Sequence, residues 1–233
     1  MNRAVRRAFD QAATVLVAAF ERSGPFPGQE VTPALLAEAV RQSFEICRQV
    51  DDSGEALPLE EVDELGTHAL ECLSDLGLWA YQLGEDDARA AVEDIALQLS
   101  QWLIGHGGQI AVLEPVVNAL ARQANATADP AALSGLFQQA CAVIAHAEPG
   151  LADDTEPARL QPWLMLHFNC AIIATRTQDA ARMDAAFDLL ETHLPGHCAA
   201  FYAEGVRESQ KTAYSDAVRD AMRSRLAKWT GRH

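Results

Sequence analysis

Two groupings of polar side chains in this chain have spacings that could do chemistry. The first lies between Asp51 and Ser100, where fourteen acidic residues stand against a single basic one, Arg89. Within it Glu60, Glu64, His68, Glu71 and Asp75 follow steps of three and four, which puts them on one face of a helix. Val62, Leu65, Ala69, Leu73, Leu76 and Ala80 fall on the opposite face. Like charges at those steps repel, so water, a cation or a basic partner must tolerate the stripe. Its plain reading is a solvated outer face. Its functional reading is a docking surface for a basic or helical segment of another protein, with His68 held protonated by its neighbours, and these five are the candidate partner-binding residues. The second grouping is His167 and Cys170, three apart, with His193, His197 and Cys198 around a later turn. Thiolate with imidazole is a ligand set suited to zinc. The spacing matches no standard zinc module, and His167 falls in the most apolar stretch of the chain, where a hydrogen-bonded core histidine is the commoner outcome. His167, Cys170, His193 and His197 are therefore the metal candidates of an alternative reading, a metal-binding or enzymatic helical protein.

Other chemistry is missing from the sequence. No Glu-x-x-His pair suits a di-iron bundle, and no His-Glu-x-x-His or Gly-x-Ser-x-Gly is present. Gly105 to Gly108 precedes a helical pattern, but no Lys-Ser or Lys-Thr follows and no strand leads into it, so a helix-ending turn is expected there. No cofactor is expected, and the function is read as non-catalytic. The formal net charge is −15, from 33 acidic and 18 basic residues, which repels phosphate backbones and anionic lipid. Partners are thus expected to be protein or peptide, with neither nucleic acid nor membrane among them. The five cysteines are odd in number and far apart, each in or beside an apolar helical pattern, which suggests a reducing, cytoplasmic setting with thiols as small core residues. Arg3, Arg6 and Arg7 precede an apolar run, as in a leader peptide, yet Asp10 and Gln11 interrupt it and Val5, Phe9, Ala12, Leu16 and Phe20 recur at helical spacing. An amphipathic core helix is expected.

The elements that must position these residues are helices. Strong helix formers abound, the residues that fill strands are sparse, and glycine, proline and capping residues punctuate nine or ten helical segments. Breaks fall at Ser23 to Gly28, Asp52 to Pro58, Gly84 to Asp86, Gly105 to Gly108, Ala128 to Pro130, Glu148 to Pro157, Gln178 and Asp179, and Pro195 and Gly196. Short connections make consecutive helices antiparallel neighbours, and so many helices fit a stack of hairpins better than one four-helix bundle. The polar connector Glu148 to Pro157 suggests two subdomains, 1–147 and 158–233. The segment from Ala158 to Thr177 is apolar nearly all round, which predicts a helix enclosed by neighbours.

An offset of about 34 residues keeps the C-terminal hairpins in register. Ala171, Phe187 and Pro195 stand as the small residue, the second-helix aromatic and the terminating proline of one unit. Phe201, Gly205 and Ala217 stand as the large aromatic, the close-packing glycine and the second-helix small residue of the next. Over about 65 residues the chain resembles a tetratricopeptide repeat, with departures at His167, Met183, Glu204 and Glu208. The resemblance implies an α-solenoid whose groove holds a segment of another protein, which makes an interaction scaffold the expected function. The last helix reverses the sign of charge, and Arg219, Arg223, Arg225, Lys228 and Arg232 could meet an acidic partner or the acidic stripe of a second copy, giving a homo-oligomer.

Overall fold

The computed structural model describes residues 1–24, 30–211 and 214–231. Ten α-helices carry the described chain: α1 (Arg3–Ser23), α2 (Pro33–Ser53), α3 (Leu59–Leu83), α4 (Asp86–Gly105), α5 (Glu114–Ala126), α6 (Pro130–His146), α7 (Pro157–Thr177), α8 (Ala180–His193), α9 (Cys198–Lys211) and α10 (Asp216–Thr230). Two short 3-10 turns, Pro149–Asp153 and Pro195–His197, join them. The sole β-type pairing among the described residues is one isolated parallel bridge between Ile110 and Ala147. There the Ile110 N–H donates to the His146 carbonyl at 2.8 Å and the Glu148 N–H to the Ile110 carbonyl at 3.0 Å. The protein is all-α, and no helix among the described residues is long and apolar enough to cross a membrane.

Local chemistry sets the helix ends. Asn2, Thr32, Asp179 and Ser215 each accept a hydrogen bond from a first-turn N–H of α1, α2, α8 and α10, satisfying donors that the helix itself leaves orphaned. Pro33 and Pro157 occupy first-turn positions where a missing N–H costs nothing. Gly54 and Gly84 close α2 and α3 with φ of 68° and 72°, a left-handed conformation that glycine adopts without strain. The break expected at Ser23 to Gly28 begins with the end of α1 at Ser23, and its residues 25–28 lie outside the described residues.

Packing divides the chain into two compact units, Met1–Leu120 with Ala145–Leu151, and Ala121–Ile144 with Ala152–His233. Residues 121–144, which the sequence division grouped with the first half, thus pack with the second unit. Arg176 of α7 supplies a physical reason: its guanidinium donates to the carbonyls of Ala124 and Thr127 at 2.7 and 2.6 Å. A cation there adds a donor to the Ala124 carbonyl, which also accepts from the Thr127 N–H at 3.3 Å, and complements the negative end of the α5 dipole.

In the first unit α1 packs on α2, α3 and α4, while α3 packs on α2 and α4. Phe9, Leu16, Phe44, Leu70, Leu73, Leu76, Leu97 and Leu103 are all buried, and the Phe9 and Phe44 rings meet edge to face at 5.4 Å. The α3 to α4 approach depends on Gly66. A Cβ at that position would lie 2.5 and 2.7 Å from the methyls of buried Leu103 and 3.1 Å from its Cγ. Gly66→Ala raises helix propensity by up to about 1 kcal/mol, but it forces Leu103 to shift inside a packed core at a cost of about 1–3 kcal/mol. The expected outcome is a net loss of about 1 kcal/mol in urea unfolding with an unchanged slope. Equal or greater stability would show that Leu103 repacks freely.

Candidate functional site

Helix α7, in the second unit, carries more apolar surface than its neighbours cover. Trp163, Leu166, Cys170, Ala171, Ile173 and Ala174 are buried, whereas Met165 is 38% and Ile172 45% exposed. The sequence predicts a helix enclosed on all sides; the structure instead leaves open a stripe through positions 165, 168 and 172. Phe168, half-buried on that stripe, stacks on Phe201 of α9 with ring centroids 5.7 Å apart and planes 7° from parallel. The His197 ring lies edge-on to Phe168 at 5.9 Å.

A cleft of about 530 Å³ opens over this stack. Its apolar floor comes from Met165, Phe168 and Ile172 of α7, Phe201 of α9 and Met222 of α10, and its polar members include His197, Glu204 and Glu208. Gly205 lets α9 and α10 approach closely, since a Cβ there would lie 2.8 Å from the Met222 sulfur. One turn beyond Met222, α10 is fixed by charge. Arg225, 16% exposed, donates to Asp184, Asp188 and Glu191 of α8 at 2.8–2.9 Å and lies over the Phe187 ring. Lys228 also pairs with Glu191. Burial opposes charge on Glu191, but hydrogen bonds from Lys228, Trp229 and Arg225 reverse that effect and hold its carboxyl down at about 2.

These contacts bear on the basic C-terminal helix. Arg219 pairs with Asp216, Arg223 with Asp220, and Arg225 and Lys228 with α8, so these cations meet carboxylates of their own unit. Arg232 lies outside the described residues. Elsewhere in the second unit, Ala171 and Phe187 are buried, with Phe187 edge to face against Tyr202 at 5.3 Å, while Ala217 is exposed.

The metal candidates separate into different environments. His167 is buried, 1% exposed. Its Nδ1 lies 3.0 Å from the Trp163 carbonyl, and its Nε2 has no hydrogen-bond partner among the described residues. The His193 ring lies 5.0 Å from that of His167 and 5.5 Å from that of Trp163. Cys170 instead faces Cys141 of α6, and His197 stands at the cleft. Among the described residues no group of three or more His, Cys, Asp or Glu side chains converges to hold a metal ion. Cys198 Sγ, also buried, faces the Leu194 carbonyl at 3.3 Å.

In the first unit, the stripe on α3 is solvated along its length: Glu60, Glu64, His68, Glu71 and Asp75 are all exposed. None of its carboxylates has an ion-pair partner among the described residues, and His68 Nε2 lies 3.9 Å from Cys72 Sγ. Asp75 borders two shallow depressions near Leu78. Sequence reasoning thus placed this stripe on one surface, and it missed the cleft. The available signal was the apolar surplus of α7, too large for a single buried face. No family model, curated protein or solved structure matches the chain.

Burial pushes the His167 imidazole down to about 4 from its usual 6.5, the Trp163 carbonyl opposing and His193 reinforcing the shift. The folded state therefore prefers the neutral ring, while the unfolded chain takes up a proton below about pH 6.5. Stability from this group is complete above pH 6.5 and is lost as pH falls toward 4, by up to about 3 kcal/mol. Urea unfolding across that window should show this loss in the wild type and not in His167→Leu. Identical pH dependence in both proteins would contradict the assignment.

Proposed function

We propose that the protein is a non-catalytic helical scaffold whose second unit holds an apolar-faced helical segment of another protein in the cleft between α7 and α9. The observation that carries this reading is the uncovered stripe of α7, where Met165, Phe168 and Ile172 offer side chains to a partner at steps of three and four. Such steps match the anchors of an amphipathic helix laid in a groove. Exposed apolar surface of this kind marks an interaction site more often than chance. Glu204, which pairs with Arg207, and Glu208 line the cleft, and carboxylates there favour a segment with Lys or Arg flanking its apolar anchors over an acidic one.

The resemblance to tetratricopeptide repeats supports the same reading. In this account α7 with α8 and α9 with α10 are successive hairpins of an α-solenoid, with Ala171 and Gly205 as small residues that let first helices approach their neighbours. The face between the first helices of neighbouring hairpins is then the one that receives a partner. The acidic stripe of α3 has a supporting role: with a net charge of −15, Glu60, Glu64, Glu71 and Asp75 accelerate encounter with a basic segment and add salt dependence.

A library of displayed peptides of about 15 residues, long enough for several helical turns, tests the proposal. Selection on the full chain should enrich sequences with apolar residues at steps of three and four, flanked by Lys or Arg. Ile172→Asp, at a position already exposed, should weaken their binding by about tenfold or more, corresponding to about 1.4 kcal/mol. Glu204→Gln with Glu208→Gln should reduce the dependence on salt. Selected peptides that bind Ile172→Asp as tightly as the wild type would overturn the proposal.

A further inference from the structure

Three of the five cysteines have surroundings that keep them inert. Cys47 is buried and its thiol is pushed up to about 12 by that burial. Cys72 is buried beside His68, with its thiol raised by burial and by the charges of Asp75 and Glu71. Cys198 is buried against backbone carbonyls. The other two differ. Cys141 of α6 and Cys170 of α7, 29 residues apart in the chain, bring their sulfurs to 3.8 Å within the second unit. A disulfide needs a separation of about 2 Å, so the remaining approach is within reach of side-chain rotation and a small helix shift. Their accessibility is unequal: Cys170 is 1% exposed, while Cys141 is half-buried. An incoming reagent therefore meets Cys141 first.

We propose that Cys141 and Cys170 form a thiol–disulfide exchange site, with Cys141 as entry thiol, Cys170 as resolving thiol, and a low-molecular-weight disulfide as oxidant. In the first step the Cys141 thiolate attacks one sulfur of the small disulfide. The disulfide bond breaks, one small thiolate leaves, and the other half remains on Cys141 as a mixed disulfide. In the second step the Cys170 sulfur attacks Cys141 Sγ and expels the second small thiolate. The protons released by the two cysteines go to the two leaving thiolates. The protein dithiol is thereby oxidised by two electrons and the small disulfide is reduced to two thiols.

The local electrostatics agree with this order. The hydrogen bond from Cys170 lowers the pKa of Cys141 although its burial acts in the opposite direction, and a thiolate is the attacking species. The same hydrogen bond, together with burial, raises that of Cys170, which stays protonated until the mixed disulfide removes its acceptor. Closing the bond ties α6 to α7 across the connector between them.

The experiment incubates the full chain with oxidised glutathione, quenches with acid, alkylates free thiols and identifies the products by peptide mass spectrometry. The wild type should lose two of its five alkylatable thiols and yield a Cys141–Cys170 cross-linked peptide that dithiothreitol removes. Cys170→Ser should stop at a glutathione adduct on Cys141. Cys141→Ser should slow modification of Cys170 by about tenfold or more relative to Cys141 in the wild type, because the surviving thiol is shielded. Circular dichroism establishes that each variant is folded, and the transient adduct on Cys141 of the wild type gives the same information should a variant fail to fold. Retention of five free thiols in the native wild type, a cross-link formed only in urea, or first modification at Cys170 would overturn the proposal.

Discussion

A helix with apolar residues around most of its circumference can be enclosed, or it can leave part of that surface facing water. The difference is about 25 cal/mol for each Å² left uncovered. Helix α7 is caught in this constraint. Its inner face, with Trp163, Leu166, Cys170 and Ile173, is buried in the second unit, and α8 packs along it. Its outer stripe faces a cleft whose other apolar members include Phe201 and Met222, and these line it without filling it. The Arg225 clamp, which binds α10 to three carboxylates of α8, holds α10 one turn beyond Met222, which lines the cleft. What the second unit exposes on α7 is the apolar surplus left after its own core has been built.

Much of the helical framework was legible in the residues, because capping and termination are local. The pair Thr32 and Pro33, the glycines at 54 and 84, and Asp179 set boundaries through hydrogen bonds and backbone angles that depend on neighbours a few positions away. The solvated stripe of α3 was legible for the same reason, since helical period alone decides which residues share a face. The packing units were less so. The polar connector at 148–157 drew attention, whereas the bond from Arg176 to the end of α5 spans about fifty residues and leaves no mark in local composition.

The cleft and the cysteine pair were hidden for related reasons. Periodicity shows that α7 is apolar on several faces but not which of them a neighbour covers, and covering depends on where α9 and α10 come to rest. Cys141 and Cys170 look like two more small core residues in the sequence, as Cys47, Cys72 and Cys198 do. Only the meeting of α6 and α7 distinguishes them. His167 shows the opposite case. Its place in an apolar helix pointed to a hydrogen-bonded core histidine, and it is buried with Nδ1 on the Trp163 carbonyl.

The central claim, that the open stripe of α7 is a binding surface for an apolar-faced basic segment, is tested most directly by methyl-resolved NMR. The full chain would be titrated with a helical peptide of leucine and lysine, and in parallel with its glutamate counterpart. The account predicts saturable shifts at Met165, Ile172 and Met222 with the lysine peptide, weaker ones with the glutamate peptide, and none at Leu16 or Leu73 in the core of the first unit. Unmoved methyls at Met165 and Ile172, or equal response to the two peptides, would contradict it.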